Sequence, residues 1–301
     1  MSTELQTYLS REGERVAAAL DRSMEALPAA VAGPVRDAVR HGVTSGGKRL
    51  RPILCVTAYR ACGGKASDDE ALYDLAASLE LIHAYSLMHD DLPCMDDADL
   101  RRGSPTTHRV HGEDATMVGG AALIPFAALR ALQAALRLGC PDATARRVAR
   151  TLVEAAGAGG MVGGQWLDLQ GEGRSLRADE LGVLHGMKTG ALLTAGLTMG
   201  ARAAGAEVAV DEALEEYGRA IGLAFQIADD ILDATQSAEV LGKTPSDAEL
   251  EKSTYVALHG LEGARTRAGE EVDAALVALR RSGLDAPILA LLARYIVERE
   301  H

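Results

Sequence analysis

The chain has 301 residues, and its 43 acidic residues outnumber its 31 lysines and arginines, which gives a net charge of −12. This acidity argues against nucleic acid or an anionic membrane surface as the main partner, because both bind basic surfaces. The four cysteines form no CxxC pair or zinc spacing, and the N-terminus carries charges where a secretion signal is apolar, so we expect a cytoplasmic protein with reduced thiols.

The pattern of apolar residues is helical along almost the whole chain. Leu72, Leu75, Leu79 and Ile82 recur at intervals of three and four, whereas runs of alternating β-branched residues are absent. The longest uncharged runs, such as 117–129, are too short and too glycine-rich to span a bilayer, so we expect no stable membrane insertion. We predict an all-α fold, with residues 1–301 forming one large domain.

The first segment with a chemical signature is TSGGKRLRP, residues 44–52. Two glycines precede Lys48, Arg49 and Arg51, so a compact cationic group lies beside backbone that can approach an anion closely. The spacing of a Walker loop is missing. Taken alone, this segment is better interpreted as a solvated basic turn.

Two helices can be placed from the sequence. The first is predicted to begin at Ser67, where Glu70 completes a capping-box pattern, and to run to about Leu92, just before a proline. The second is predicted to begin near Asp211 and to run to about Asp233. Each of them carries a cluster of carboxylates near its C-terminal end.

The first cluster lies in HDDLPCMDDADLRRG, residues 89–103, which contains five aspartates and two arginines. Asp90 and Asp96 are six residues apart and would lie on opposite sides of a regular helix, so they meet only if the helix breaks at Leu92-Pro93. His83 is two turns before Asp90 on the same face, although a lone histidine there is better explained as part of the core. A solvated, ion-paired surface is the alternative interpretation of this cluster alone.

The second cluster, DDILD, makes that alternative weaker. Asp229 and Asp233 are neighbours on one helix face, with Gln226 and Asp230 alongside. Aspartates inside an apolar helix are costly to bury unless a cation meets them. Carboxylate oxygens suit Mg²⁺, which substrate phosphates often complete, so we expect Mg²⁺ as the cofactor, with arginines such as Arg101 on the other side of the phosphate.

Taken together and in order, six segments resemble the trans-isoprenyl diphosphate synthases, a family that includes farnesyl and geranylgeranyl diphosphate synthases. The segments are GGKRLRP at 46–52, HAYSLMHDDLPCMDDADLRRG at 83–103, GGQWLDL at 163–169, MKTG at 187–190, FQIADDILD at 225–233 and LGKTPSDAELEKSTY at 241–255.

The resemblance implies antiparallel helices around a deep central cavity, usually in a homodimer. It also implies that Mg²⁺ bound to the two aspartate motifs holds an allylic diphosphate, which ionises to an allylic cation. The double bond of isopentenyl diphosphate then attacks the cation and a proton leaves. The hydrocarbon chain thereby grows by five carbons.

The resemblance also assigns roles to individual residues. Its metal ligands are Asp90, Asp96 and Asp229, with Asp233 and Asp230 as supporting or water-mediated ligands. The residues expected to bind the allylic diphosphate are Arg101, Lys188, Thr189, Gln226 and Lys243. Those expected to bind isopentenyl diphosphate are Lys48, Arg51, His83 and Arg102. Of these, Asp90, Asp96, Arg101, Lys188, Asp229 and Lys243 are expected to be catalytic. Ala98 departs from the run of acids in bacterial relatives, but at a position with no assigned ligand.

Product length is expected to depend on Tyr85 and Ser86, five and four residues before Asp90. A bulky ring about one turn below the metal site would close the cavity, whereas a serine would not. An aromatic residue here, with two extra residues in the first motif, resembles bacterial farnesyl diphosphate synthases and implies a C15 product. Geranylgeranyl (C20) or geranyl (C10) diphosphate is the alternative, and Tyr85 as ordinary helix packing remains open.

Two other functions also remain open. A terpene cyclase would typically replace the second aspartate motif, lack GGKRLRP and carry more than the 3% aromatic residues found here. A non-catalytic subunit of a heteromeric prenyl synthase would usually lose one or both aspartate motifs. Both motifs are intact, which favours an enzyme that uses isopentenyl and allylic diphosphates as substrates.

Overall fold

The computed structural model describes residues 2–31, 33–65, 69–235 and 253–299, and within them the prediction of an all-α fold is confirmed. Two-residue strands, β1 (Leu100–Arg101) and β2 (Ser104–Pro105), form a small hairpin. Residues Gly186–Gly190 form a π-helical turn. The helices are α1 (Thr3–Glu25), α2 (Gly33–Thr44), α3 (Leu50–Ala61), α4 (Asp69–Asp90), α5 (Thr107–His111), α6 (Glu113–Arg137), α7 (Asp142–Ala156), α8 (Met161–Gly171), α9 (Ala178–His185), α10 (Ala191–Ala203), α11 (Val208–Thr235), α12 (Tyr255–Arg281) and α13 (Pro287–Glu298).

Helix α4 lies in the middle of the fold and is buried on almost all sides, packing against α1, α3 and α6. Leu72, Leu75, Leu79 and Ile82, the residues with helical spacing in the sequence, are all at most 1% exposed. Helix α10 contacts α3, α7 and α11, and α11 in turn packs along α12. The two helices with acidic ends, α4 and α11, are thereby fixed on opposite sides of one interior space.

Glycines on α10 set the distance to α3. A Cβ atom at Gly200 would lie 2.2 Å from the carbonyl oxygen of Cys55, and one at Gly196 would lie 2.8 Å from that of Arg51. Only residues without a side chain permit so close a contact between two helix backbones. The start of α3, which carries the basic motif, is therefore held tightly against the core.

The helix ends differ slightly from the predicted ones. The capping box at Ser67 lies outside the described residues, and α4 ends at Asp90 rather than near Leu92. Helix α11 begins at Val208, three residues before Asp211. Prediction of helix ends is limited because the last turn depends on the hydrogen bonds made by the following loop.

Among the described residues, one helix, α6, is long and apolar enough to satisfy a simple test for a membrane span. A single helix of this kind is weak evidence, because core helices pass the same test. Here α6 packs along α2, α4 and α7.

Candidate active site

Three cavities adjoin one another around the C-terminal part of α4, where Leu87 lines all of them. The acidic cavity is lined by aspartates of both motifs and has a volume of about 270 Å³. The basic cavity lies beside the start of α3 and has a volume of about 800 Å³. The apolar pocket lies between α4 and α8 and has a volume of about 310 Å³. Each cavity thus offers a different chemistry within reach of the other two.

The acidic cavity brings together the two aspartate motifs. The end of α4 and the turn after it contribute Asp90 and Asp96, and α11 contributes Asp229, Asp230 and Asp233. The cavity also receives the cationic side chains of Arg101 and Lys188, together with Gln226. Lys243 lies outside the described residues.

A turn after α4 brings Asp96 back to Asp90. The backbone N–H of Asp96 donates to the carbonyl oxygen of Asp90 over 2.9 Å. The helix therefore breaks near Pro93, and this break brings the two aspartates together. Burial raises the pKa of Asp90 to about 6, and the Asp96 and Asp91 carboxylates add to the rise while Lys188 opposes it. This carboxylate is therefore in an environment that favours either a proton or a nearby cation.

The β1–β2 hairpin presents the two arginines of the first motif. Arg102 and Gly103 both have positive φ, 54° and 75°, as a two-residue hairpin turn requires. Arg101 donates from Nε to the buried carboxylate of Asp91 over 2.7 Å. Asp91 therefore positions Arg101, a role that the sequence analysis missed.

The aspartates of the second motif do not all have the same role. Asp229 and Asp233 lie one turn apart on α11. Asp230 is only 3% exposed, and one of its oxygens accepts the backbone N–H of Tyr255 over 2.7 Å. That oxygen stabilises the start of α12, which limits the supporting metal role expected for Asp230. Nearby His185 is neutral at pH 7, because burial lowers its pKa to about 4.

Arg299, near the C-terminal end, reaches the second motif. Its guanidinium lies 2.5 Å from Asp229, stacks 3.9 Å from the centre of the Phe225 ring, and donates to the carbonyl oxygen of Phe225. Arg299 was not predictable from the sequence, because a single arginine outside any motif gives no signal for a contact 70 residues away.

The segment GGQWLDL forms α8 and positions Lys188. A Cβ atom at Gly164 would lie 2.2 Å from the backbone nitrogen of Lys188, so α8 rests directly on the π-helical turn. Lys188 Nζ lies 2.6 Å from the Asp168 carboxylate. The hydroxyl of Thr189 donates to the amide oxygen of Gln226 over 2.9 Å. The motif was recognised from the sequence, but the role of Asp168 became visible only in three dimensions.

The basic cavity gathers the residues expected to bind isopentenyl diphosphate: Lys48, Arg51, His83 and Arg102. Burial lowers the pKa of Lys48, and neighbouring Arg299 adds to this effect. Burial also lowers the pKa of His83 well below its ordinary value, and Arg51 and Arg102 add to this effect, so the imidazole is neutral at pH 7.

Two details of the basic motif differ from the simplest interpretation of its sequence. Arg49 pairs with the buried carboxylate of Glu80 over 2.6 Å, so its charge is partly neutralised. Gly47, with φ at 123°, lies against Arg102, whose guanidinium would be 2.5 Å from a Cβ atom there. Gly47 thus makes room for an arginine of the other motif.

The apolar pocket extends from Asp90 and Lys188 along the preceding turns of α4. Tyr85 and Ser86 both line it, and the Tyr85 side chain is 9% exposed. The Tyr85 ring packs edge-on against His89, with centroids 4.8 Å apart. His89 Nε2 lies 3.0 Å from the carbonyl oxygen of Met117 on α6, so α6 supports the Tyr85–His89 pair.

The donor chemistry of the acidic cavity fits Mg²⁺. Among the described residues, no three His, Cys, Asp or Glu side chains form a ready-made metal cage. Mg²⁺ commonly takes only one or two carboxylates at a time and completes its shell with water and substrate phosphate. Asp90 and Asp96 on one side, and Asp229 and Asp233 on the other, are the residues that would hold it.

An all-α fold in which two aspartate motifs share a cavity above an apolar pocket fits the class of trans-prenyltransferases. The chain belongs to the polyprenyl synthetase family, whose model (Polyprenyl synthetase) matches residues 33–282.

Similar proteins carry names for different product lengths. Geranylgeranyl pyrophosphate synthase 9 of Arabidopsis thaliana is 41% identical over 99% of this chain and 82% of its own. Farnesyl diphosphate synthase of Geobacillus stearothermophilus is 37% identical over 99% and 98%. The solved FPP/GFPP synthase of Zymomonas mobilis superposes with a TM-score of 0.84 at 33% identity, covering 99% of this chain and 100% of that one. Geranyltransferase of Helicobacter pylori, solved with magnesium and isoprenyl diphosphate, gives 0.82 at 30% identity, covering 99% and 98%.

Proposed function

We propose that this protein is a Mg²⁺-dependent head-to-tail (1′-4) prenyltransferase that condenses isopentenyl diphosphate with an allylic diphosphate, dimethylallyl or geranyl, and releases mainly farnesyl diphosphate. The observation that carries the proposal is the junction at Leu87, where an acidic cavity, a basic cavity and an apolar pocket adjoin. A metal-bound diphosphate, a second diphosphate and a hydrocarbon tail each have a matching compartment.

The allylic diphosphate binds in the acidic cavity, and its tail enters the apolar pocket. Asp90 and Lys188 line both compartments, which supports this orientation. Bound Mg²⁺ would supply positive charge that stabilises the departing pyrophosphate. Arg101 and Lys188, held by Asp91 and Asp168, add fixed cationic groups at the same place.

Isopentenyl diphosphate binds in the basic cavity through Lys48, Arg51, His83 and Arg102. Arg51, His83 and Thr189 line both this cavity and the apolar pocket. The double bond of isopentenyl diphosphate can therefore approach the allylic carbon from the basic side. Apolar walls exclude water from the cation between the two substrates.

One incubation tests the proposal. Purified protein with labelled isopentenyl diphosphate, geranyl diphosphate and Mg²⁺ is expected to yield labelled farnesyl diphosphate, and excess EDTA is expected to abolish it. A protein that binds both substrates without extending either would instead be a non-catalytic subunit of a heteromeric prenyl synthase.

Tyr85 is expected to limit the product to C15, because its ring lies in the apolar pocket less than two turns before Asp90. Tyr85→Ala removes the ring and is expected to shift most of the product to C20 or longer, measured by chromatography of the dephosphorylated alcohols. Tyr85→Phe, which keeps the ring, is the control and is expected to retain C15. An unchanged C15 profile in Tyr85→Ala would refute the role, and a C20 or C10 profile in the unmodified protein would favour the alternative products.

We further propose that two copies associate through α6. Met117, Val118, Leu129 and Leu136 on this helix are 42–50% exposed, and such an apolar face commonly marks an interface. Light scattering is expected to give twice the chain mass for the unmodified protein and the single mass for Leu129→Glu. Val277→Glu, at an equally exposed valine on α12, is the control and should remain dimeric; a monomeric unmodified protein would contradict the proposal.

A further inference from the structure

Gln165 has a buried side-chain amide that makes no hydrogen bond to the described residues. Its side chain lies in the wall of the apolar pocket, and the residue is 8% exposed. Neither its amide nitrogen nor its amide oxygen has a hydrogen-bond partner there. An unpaired buried amide lowers stability, and residues that do so concentrate at functional sites.

Three neutral polar side chains of this pocket are already engaged. Ser86 donates to the carbonyl oxygen of His83, Thr189 donates to Gln226, and His89 contacts the carbonyl oxygen of Met117. Among the neutral residues that line this pocket, Gln165 is the one whose polar atoms are fully buried and have no hydrogen-bond partner, within the described ranges.

The position of Gln165 relates it to one part of the substrate. Asp168, three residues further along α8, pairs with Lys188 at the level where the allylic diphosphate binds. Three residues correspond to about 4.5 Å along a helix axis. Gln165 follows Gly164, which contacts the Lys188 backbone, and it faces the pocket that receives the hydrocarbon. The carbons nearest the diphosphate would lie at its level.

We infer that Gln165 contacts the first isoprene unit of the allylic diphosphate and that its amide oxygen stabilises the positive charge developing there. The inference rests on the proposed function. The C1–O bond breaks and its electron pair leaves with pyrophosphate. The double-bond electrons of isopentenyl diphosphate then form the new C–C bond, and a proton departs. Gln165 forms no covalent bond, and a neutral amide is a far weaker nucleophile toward a carbocation than a carboxylate is.

The test replaces the amide by a thioether of similar length, Gln165→Met. We expect kcat for elongation of geranyl diphosphate to fall by about tenfold or more, because the lost interaction exists mainly in the transition state. Affinity for a non-ionising analogue, with sulfur in place of the bridging oxygen, is expected to change less than about threefold. Trp166, the single tryptophan of the chain, lies in the same pocket wall and reports this affinity by fluorescence.

Stability separates this role from a structural one. Since the Gln165 side chain lacks a partner, the Tm of Gln165→Met and of a second variant, Gln165→Leu, is expected to equal or exceed that of the unmodified protein. Gln170→Met, at the exposed end of the same helix, is the matched control and is expected to change neither kcat nor Tm.

Three results would overturn the inference: an unchanged kcat, a lower Tm or failure to fold in both Gln165 variants, or a loss of analogue affinity as large as the loss of kcat. These results differ from failure of the proposed function, in which the unmodified protein itself would not extend geranyl diphosphate.

Discussion

Asp90→Asn and Asp229→Asn are each expected to lower turnover by about a thousandfold, because each removes one carboxylate from the proposed metal site, which would stabilise a departing pyrophosphate. Asparagine preserves the shape of the side chain but removes the charge. Initial rates with labelled isopentenyl diphosphate, measured over a range of Mg²⁺ concentrations, are expected to show a lower maximum and a higher Mg²⁺ requirement. Circular dichroism is expected to show the helices intact.

The first motif contains its own control. Asp99 is an exposed aspartate that pairs with Arg109 at the surface and lies outside the acidic cavity. Asp99→Asn is therefore expected to keep nearly full activity, since exposed ion pairs contribute little. Near-normal rates for Asp229→Asn would contradict the proposed metal site, and an equal loss in Asp99→Asn would show that overall charge of the motif is what matters.

Lys188→Met is expected to lower kcat by about a hundredfold or more, because it removes the fixed cation that we propose lies beside the leaving group and that pairs with the Asp168 carboxylate. Asp168→Asn keeps the lysine but releases its ammonium group, and a smaller loss of about tenfold is expected. Steady-state kinetics with separate variation of the two substrates measures both effects.

The matched control for this pair is Arg146→Met, since Arg146 makes an exposed ion pair with Asp142 on α7. It is expected to leave kcat unchanged. If Asp168→Asn lowered kcat as much as Lys188→Met does, Asp168 would itself contact the substrate. If Asp168→Asn left kcat unchanged, the ion pair would not be needed to position Lys188.

The helical fold was predictable because it depends on local periodicity. The spacing of apolar residues identified the buried stripe of α4, and the i, i+4 relation placed Asp229 and Asp233 on one face. Neither helix alone predicts that the end of α11 shares a cavity with Asp90. It followed in the sequence analysis from the family resemblance, and in the structure from the packing of α4, α10 and α11.

The partners of the site residues were less predictable. Asp91 with Arg101, Asp168 with Lys188, and Asp229 with Arg299 join residues 10, 20 and 70 positions apart. Nothing in the local sequence specifies such pairs, because charged side chains at the ends of different helices can combine in many ways. The glycines of GGKRLRP were likewise expected to approach an anion, whereas Gly47 makes room for an arginine.

Helix α4 carries both the aspartate that begins the first motif and the aromatic side chain in the pocket wall, so under the proposed function its length sets the length of the hydrocarbon. Asp90 and Tyr85 are separated by about 7.5 Å along the axis. Each further turn toward the N-terminus adds about 5.4 Å, roughly the reach of one five-carbon unit. Under the proposed role of Tyr85, a bulky side chain placed one turn earlier on α4 would admit one more five-carbon unit without any change at the metal site.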